Sequence, residues 1–266
     1  MSAIRQQIVW ITGASSGIGE SLTYEMAKLN NILIISSRRE NELQKVAEKA
    51  LQLGAKSVKI QALDLGNETS FETIVSNILQ EFGKIDILFN NGGISQRSKA
   101  LETSLEVDRK LMEVDYFGTI ALTKHLLPNM VKNKSGHIVI TSSLVGKFGT
   151  PYRTAYSAAK HALHGYFEAL RAELWDYNIK VTICCPGFIK TLVSVNALVG
   201  DGKALNEMDN AQANGMHPDE CAKQMIRAVE RNKFEVLIGG KEILGVYIKR
   251  FFPNLWVKML RKLTVR

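Results

Sequence analysis

Cysteine is scarce in this sequence: three residues in 266, at Cys184, Cys185 and Cys221. Two of these are neighbours whose side chains point opposite ways in any extended segment, so no disulfide framework is expected. Uncharged apolar runs of the roughly 18 to 20 residues that cross a bilayer are missing. The stretch before the first apolar run is too short for a signal peptide, and the expected compartment is a reducing cytoplasm. Internal repeats, linkers and low-complexity tracts are missing too, which leaves one domain over 1–266 as the expectation. With 45% hydrophobic and 23% charged residues, disorder and fibrous architectures are excluded. A chain of this length buries roughly three-quarters of its unfolded surface, enough for a large core.

Acidic residues are in deficit, and the deficit is local. Residues 241–266 carry seven Lys/Arg against one Glu, so +6 of the formal net charge of +8 sits in the tail. The body has no basic stripe to follow a phosphate backbone, and nucleic acid is not an expected partner.

What is present is an alternation. Short β-branched runs at Ile8–Thr12, Ile32–Ser36, Val58–Ala62, Ile85–Asn90, His137–Thr141, Val181–Cys185 and Val236–Ile238 are separated by stretches of helical period. Leu43, Val46, Ala47 and Ala50 keep one helical face; Phe71, Ile74, Val75, Ile78 and Leu79 keep another. This pattern predicts an α/β fold of Rossmann type, doubly wound, with a mainly parallel seven-stranded sheet and helices on both faces. Gly54 and Gly83 fall where helices should end, and Pro218-Asp219-Glu220 where one should begin. Residues 188–216 break the regularity and are expected to form a lid over a site.

The first strand runs into Thr12-Gly13-Ala14-Ser15-Ser16-Gly17-Ile18-Gly19, followed at once by a helical stretch from Ile18. Glycines between a first strand and a helix permit a tight turn, close approach of a pyrophosphate and close helix packing, and the free N–H groups of the helix start hold the phosphates. Gly13, Ser15, Ser16, Gly17, Ile18 and Gly19 are therefore candidate dinucleotide ligands. Where NAD-binding proteins place an acid after the second strand, this chain has Ser36-Ser37-Arg38-Arg39. Guanidinium groups there would bond a 2′-phosphate, so NADP(H) is expected over NAD(H).

Tyr156 and Lys160 stand four apart on one helical face. Hydride transfer to or from a carbon bearing oxygen needs a partner for the oxygen's proton, and a free tyrosine is a poor base at neutral pH unless positive charge stabilises its phenolate. Such a pair is common by chance, so its context carries the argument. Ser143 stands thirteen residues before Tyr156, just past the fifth strand, at the sheet edge where open α/β folds bind ligands. Its hydroxyl could bond the substrate oxygen.

These motifs together resemble the short-chain dehydrogenase/reductases over residues 6–240. The resemblance rests on the Thr12–Gly19 turn, Asp64, Asn90-Asn91-Gly92-Gly93, Ser143, Tyr156, Lys160 and Pro186-Gly187 followed by Thr191. Asn91–Ser98 and Ser157–Leu163 look most like the dehydrogenase/reductase member 7 branch, which includes retinoid and steroid carbonyl reductases. The resemblance implies that Ser143 polarises the substrate oxygen, Tyr156 is the general acid/base, and Lys160 assists the tyrosine and bonds the nicotinamide ribose. It also implies Ile189 and Thr191 at the carboxamide, Asp64 at the adenine, Leu65, Asn91, Gly92, Pro186 and Gly187 along the cofactor, and Asn90 supporting the sheet. Two departures stand out. Gly92 replaces the family's alanine, and Asp115 stands where the family has its fourth catalytic residue, an asparagine whose main-chain carbonyl holds a water bridging to the lysine. A carboxylate there could preserve the relay or compete for the Lys160 ammonium, and reduced turnover is the expectation.

His161 and His164 lie three apart without a third ligand at zinc spacing, so no metal is expected. In the tail, Trp256, Met259, Leu260 and Leu263 make an apolar stripe and Lys258, Arg261 and Lys262 a basic one. This helix is expected to pack, or to make an oligomer contact, ahead of lying on an anionic membrane. The leading expectation is an NADPH-dependent carbonyl reductase or alcohol dehydrogenase acting on a small hydrophobic ketone, aldehyde or alcohol. It would assemble as a homodimer or homotetramer through residues 105–132 and 154–177. Two others are a reductase of 3-ketoacyl thioesters and a non-catalytic dinucleotide sensor or scaffold.

Overall fold

The computed structural model describes residues 4–261. Seven strands, β1 (Ile8–Thr12), β2 (Ile32–Ser37), β3 (Ser57–Ala62), β4 (Ile87–Asn90), β5 (Gly136–Thr141), β6 (Ile179–Pro186) and β7 (Glu235–Ile238), form one sheet in the order β3-β2-β1-β4-β5-β6-β7. All neighbouring pairs are parallel. The helices are α1 (Gly17–Ala27), α2 (Glu40–Gln52), α3 (Phe71–Phe82), α4 (Leu105–Met112), α5 (Gly118–Asn133), α6 (Thr154–Glu173), α7 (Asn210–Ala213), α8 (Pro218–Glu230), α9 (Leu244–Phe251) and α10 (Pro253–Leu260).

Alternate residues of each buried strand feed two apolar layers, as the pleat requires. Val9, Ile11, Leu33, Ile35 and Cys184 pack under α1, α2 and α8, whereas Trp10, Ile34, Leu88, Ile138 and Cys185 pack under α3, α5 and α6. The adjacent cysteines thus face opposite layers. Burial pushes both thiols up, so they remain protonated and inert.

The ends of the helices follow their capping residues. Gly83 closes α3 at φ 76°, and Gly54 follows α2 at φ 104°, a conformation in which glycine meets no Cβ penalty. His217 caps α8 ahead of Pro218, accepting from the Asp219 N–H at 3.4 Å. Strand order reverses between β1 and β4, and a crevice opens there at the carboxyl ends of the strands, the switch point at which doubly wound sheets bind ligands.

Candidate active site

The crevice, about 500 Å³, is lined by the turn after β1, the ends of β2 through β6 and part of residues 188–216. Its floor is stitched together by Thr12. That hydroxyl accepts from the N–H groups of Asn91 and Gly92, each at 3.0 Å, and the Thr12 carbonyl accepts from Asn91 Nδ2 at 3.1 Å. Thr141 donates to Asn91 Oδ1 at 3.2 Å, so one asparagine ties three strand ends together. Asn90 faces away, donating to Thr123 at 2.9 Å. Thr12 opens the glycine motif and Thr141 lies outside the motifs; each acts through strands adjacent in space, which spacing does not show.

Gly13 (φ 65°) and Gly17 (φ 60°) hold left-handed conformations in the turn. A Cβ on Gly13 would come within 2.7 Å of the Gly92 Cα, and one on Gly17 within 3.0 Å of Thr191 Cγ2. The turn therefore fits a phosphate-bearing group whose approach any side chain would obstruct. Gly19 corrects its assignment: it does not line the crevice, and a Cβ there would run into the Gly13 carbonyl, so its role is to let α1 pack against the turn. At Gly92, the space of the family's missing methyl is occupied by Leu65 Cδ1, which would lie 2.6 Å from an added Cβ.

Ser15, Ser16, Ile18, Arg38, Asp64, Leu65, Pro186, Gly187, Ile189 and Thr191 all line the crevice. Arg39 Nη2 donates to Ser15 Oγ at 2.9 Å and Ser16 Oγ at 2.7 Å, laying a guanidinium across the glycine turn. Asp64 is exposed, its Oδ1 accepting from the Gly66 N–H at 2.9 Å.

Ser143, Tyr156 and Lys160 converge on the same crevice. Ser143 follows β5; its hydroxyl donates to the Pro186 carbonyl at 3.2 Å and accepts from the Val145 N–H at 3.3 Å. Lys160 Nζ, 5.6 Å from the centre of the Tyr156 ring, donates to the Thr141 carbonyl at 3.2 Å.

Asp115 requires a second correction. It lies on a π-helical turn, Glu113–Phe117, between α4 and α5, and does not line the crevice. It is fully buried behind Lys160, with Oδ1 accepting from the Ile94 N–H at 2.7 Å and Oδ2 3.3 Å from Lys160 Nζ. Its main-chain carbonyl accepts from Thr119 Oγ1 at 2.9 Å. Asp115 is a positioning residue, not one that touches reactants. Burial raises its pKa, with the Lys160 charge and the Ile94 N–H partly offsetting that rise. Burial likewise pulls Lys160 down, but the charges of Asp115 and Tyr156 outweigh it and hold the ammonium above the ordinary lysine value.

A second cavity, about 340 Å³, adjoins the crevice. Its walls are mainly apolar: Leu144, Val145, Phe148, Phe188, Ile248 and Trp256 among others. Ser143 and Tyr156 line both spaces. The tail contributes to this wall, with Trp256 buried against Phe148, ring centres 4.7 Å apart. Within residues 188–216, Thr191 and Leu192 border the crevice, Phe188 the cavity, and Val193 and Gln212 both.

Sequence spacing did not reveal a buried polar cluster at that cavity. Arg97 donates to Asp209 Oδ2 from Nε at 3.0 Å and Nη2 at 2.7 Å, and Arg153 Nη2 lies 3.5 Å from the same oxygen. Asp209 caps α7 by accepting from the Gln212 N–H at 2.9 Å, an Asp-x-x-Gln signature legible in sequence. The chain also brings Cys185 and Glu235 beside His164, although the three are far apart in sequence.

A parallel doubly wound sheet, a glycine turn shaped for a dinucleotide and a Ser, Tyr and Lys at its switch point define a pyridine-nucleotide oxidoreductase. Residues 7–198 match the short chain dehydrogenase family, and the chain belongs to that family. Among relatives, it is 39% identical over 264 residues to a Drosophila melanogaster dehydrogenase/reductase SDR family protein 7-like, covering 98% of this chain and 81% of that one. It is 40% identical over 256 residues to human dehydrogenase/reductase SDR family member 7, covering 94% and 76%. These place it in the member 7 branch, as an NAD(P)-dependent oxidoreductase. A Burkholderia phymatum short chain dehydrogenase/reductase solved with NAD shares the fold at TM-score 0.84, with 22% identity and 96% of each chain covered.

Proposed function

We propose that the chain is an NADPH-dependent carbonyl reductase, reversible as an alcohol dehydrogenase, acting on hydrophobic ketones, aldehydes or secondary alcohols. The observation that carries this reading is the position of Ser143 and Tyr156 at the junction of the crevice beside the glycine turn and an apolar cavity. One space has the shape and donors for a dinucleotide, the other the walls for an apolar substrate.

Gly13 through Ile18 would hold the pyrophosphate, Arg38 and Arg39 the 2′-phosphate, Asp64 and Leu65 the adenine side, and Asn91 and Gly92 the adjoining edge. Lys160 would bond the ribose, and Pro186, Gly187, Ile189 and Thr191 the carboxamide end. When bound, the nicotinamide supplies or accepts the hydride. Preference for NADP(H) is supported by the guanidinium over the glycine turn and by the lack of an acid at the end of β2.

In the reducing direction Ser143 turns its hydroxyl from Pro186 to the substrate carbonyl oxygen, which Tyr156 protonates as the carbon becomes tetrahedral. The phenolate left behind is stabilised by the Lys160 ammonium and regains its proton from water. Oxidation of the alcohol runs these steps in reverse. Asp115 holds Lys160 from behind and takes a share of its charge.

Two further proposals concern partners. A homodimer or homotetramer through α4, α5 and α6 agrees with the exposure of Leu105 at the start of α4 and of Phe117 on the turn between α4 and α5. The tail also suits a peripheral contact with an anionic membrane, since Tyr247, Phe251, Phe252, Leu255 and Val257 are exposed beside exposed Arg250, Lys258 and Arg261. The test of the catalytic reading is a panel of hydrophobic ketones and aldehydes assayed with NADPH and NADH in parallel. Turnover with preference for NADPH is expected; no turnover of any member would reject it.

A further inference from the structure

Seven buried polar side-chain atoms have no hydrogen-bond partner among the described residues, and three of them belong to residues lining the apolar cavity: Arg153 Nε, Thr150 Oγ1 and Gln212 Oε1. Leaving such atoms unpaired costs free energy, and Arg153 is the charged residue among the three that line the cavity.

The charges around them are unequal. Arg97 satisfies Asp209 with two hydrogen bonds and also donates from Nη1 to Ser95 Oγ at 2.9 Å and to the Gln96 carbonyl at 2.7 Å. Arg153 is left with a single 3.5 Å approach to the same carboxylate oxygen. Two guanidinium groups share one carboxylate, which leaves one buried positive charge in excess. Arg153 has only 6% of its surface exposed, and its closest ring, Phe188, is 5.9 Å from the guanidinium. Burial, with the repulsion of Arg97, pushes its pKa down to about 10, which leaves it charged at neutral pH. Glu242, the one carboxylate among the residues lining the cavity, accepts from the Phe188 N–H at 3.3 Å, and Lys241 adjoins it. Arg153 immediately precedes α6, three residues ahead of Tyr156, so guanidinium and phenol rise from the same end of one helix.

We infer that Arg153, with Gln212 and Thr150, is a binding site for a carboxylate, and that the substrates are hydrophobic oxo-acids or hydroxy-acids whose reacting oxygen meets Tyr156 and Ser143. The planar guanidinium suits a carboxylate, and Thr150 and Gln212, whose unpaired atoms are sealed from the cavity in this structure, would donate to the same group once their side chains turn toward it. The apolar walls take the hydrocarbon. This assignment rests on the carbonyl-reductase reading and narrows its substrate class.

The test uses the full chain with NADPH and pairs of 3-, 4- and 5-oxodecanoate with their methyl esters. At least one acid is expected to show kcat/KM about tenfold or more above its ester, mainly through KM, as befits a charge-assisted hydrogen bond. In Arg153→Met that ratio should fall to near one; in Arg153→Lys part of it should survive. Gln212→Glu, which places a carboxylate beside the guanidinium, should lower the acid's kcat/KM about tenfold more than the ester's, and covers the case in which Arg153→Met does not fold. A wild-type ratio near one for every pair, or a ratio that the variants leave unchanged, would overturn the assignment. Calorimetric binding of decanoate and decanol to the NADPH complex separates the two readings. Decanoate binding that is lost in Arg153→Met or Gln212→Glu, in an enzyme that turns over nothing, would leave the anion site standing while the reductase reading fails. Equal binding of decanoate and decanol would overturn the anion site whatever the turnover.

Discussion

At the scale of single residues, the chemistry turns on how charges are shared. Arg39 reaches both serines of the glycine turn, so Arg39→Ala should reduce the preference for NADPH over NADH by about tenfold or more, read as the ratio of kcat/KM values. An unchanged ratio would remove Arg39 from the 2′-phosphate site. Asp115→Asn tests the pairing behind the catalytic lysine. With the carboxylate gone, burial dominates at Lys160 and its pKa falls, so the ammonium is lost earlier as pH rises. The alkaline limb of the pH–rate profile should therefore move to lower pH. Turnover near neutrality should rise a few-fold, because Lys160 no longer shares its charge. Identical rates and profiles would reject this role. The reacting residues were legible because spacing four on a helix survives folding unchanged. Arg153, Gln212 and Thr141 were not, since each acts through partners that only the folded chain brings near.

Among elements, the central strands were legible because parallel strands buried on both faces are apolar along their length, the half-buried edge strand β3 kept alternate apolar residues at Val58 and Ile60, and the seven runs of the sequence coincide with the seven strands to within two residues. β4 starts at Ile87, two residues later than its apolar run, since Asp86 there turns its side chain to accept from the Ile8 N–H at 2.9 Å. Residues 188–216 resisted reading: apart from α7 their order comes from isolated bridges such as Gln96 to Leu198, a pairing that periodicity cannot encode. β7 is tied to the rest by Glu235, which receives Lys147 at 2.9 Å and lies 3.4 Å from His164. His164, then Lys147, against the opposing effect of burial, hold its pKa at about 2. A carboxylate depressed in the folded state stabilises it above the ordinary carboxylate pKa and loses that contribution as pH falls toward 2. Glu235→Gln should cost about 1 kcal/mol at neutral pH, after allowance for solvent screening of a half-buried group, and flatten the stability–pH slope between pH 5 and 2. Urea melts at several pH values check it; parallel slopes for both proteins would contradict it.

For the whole molecule, the basic tail has a part that its amphipathic pattern did not disclose. Trp256 and Met259 line the apolar cavity, so the tail completes a wall of the proposed substrate site on its own chain. Leu263 and Lys262, which belonged to the expected stripes, lie outside the described residues. The exposed apolar and basic residues of α9 and α10 predict that the full chain floats with anionic phospholipid vesicles and less with neutral ones. Phe251→Ser combined with Leu255→Ser should abolish flotation, and equal flotation of variant and wild type would remove the membrane contact. The account as a whole depends on one phenol. The most direct measurement is NADPH oxidation by wild type and Tyr156→Phe on the same carbonyl panel, with NADPH affinity measured on both. The expected result is a fall in turnover of about a hundredfold or more at unchanged NADPH affinity, the size of a lost general acid. A phenylalanine variant that reduces its substrates at the wild-type rate would contradict the account.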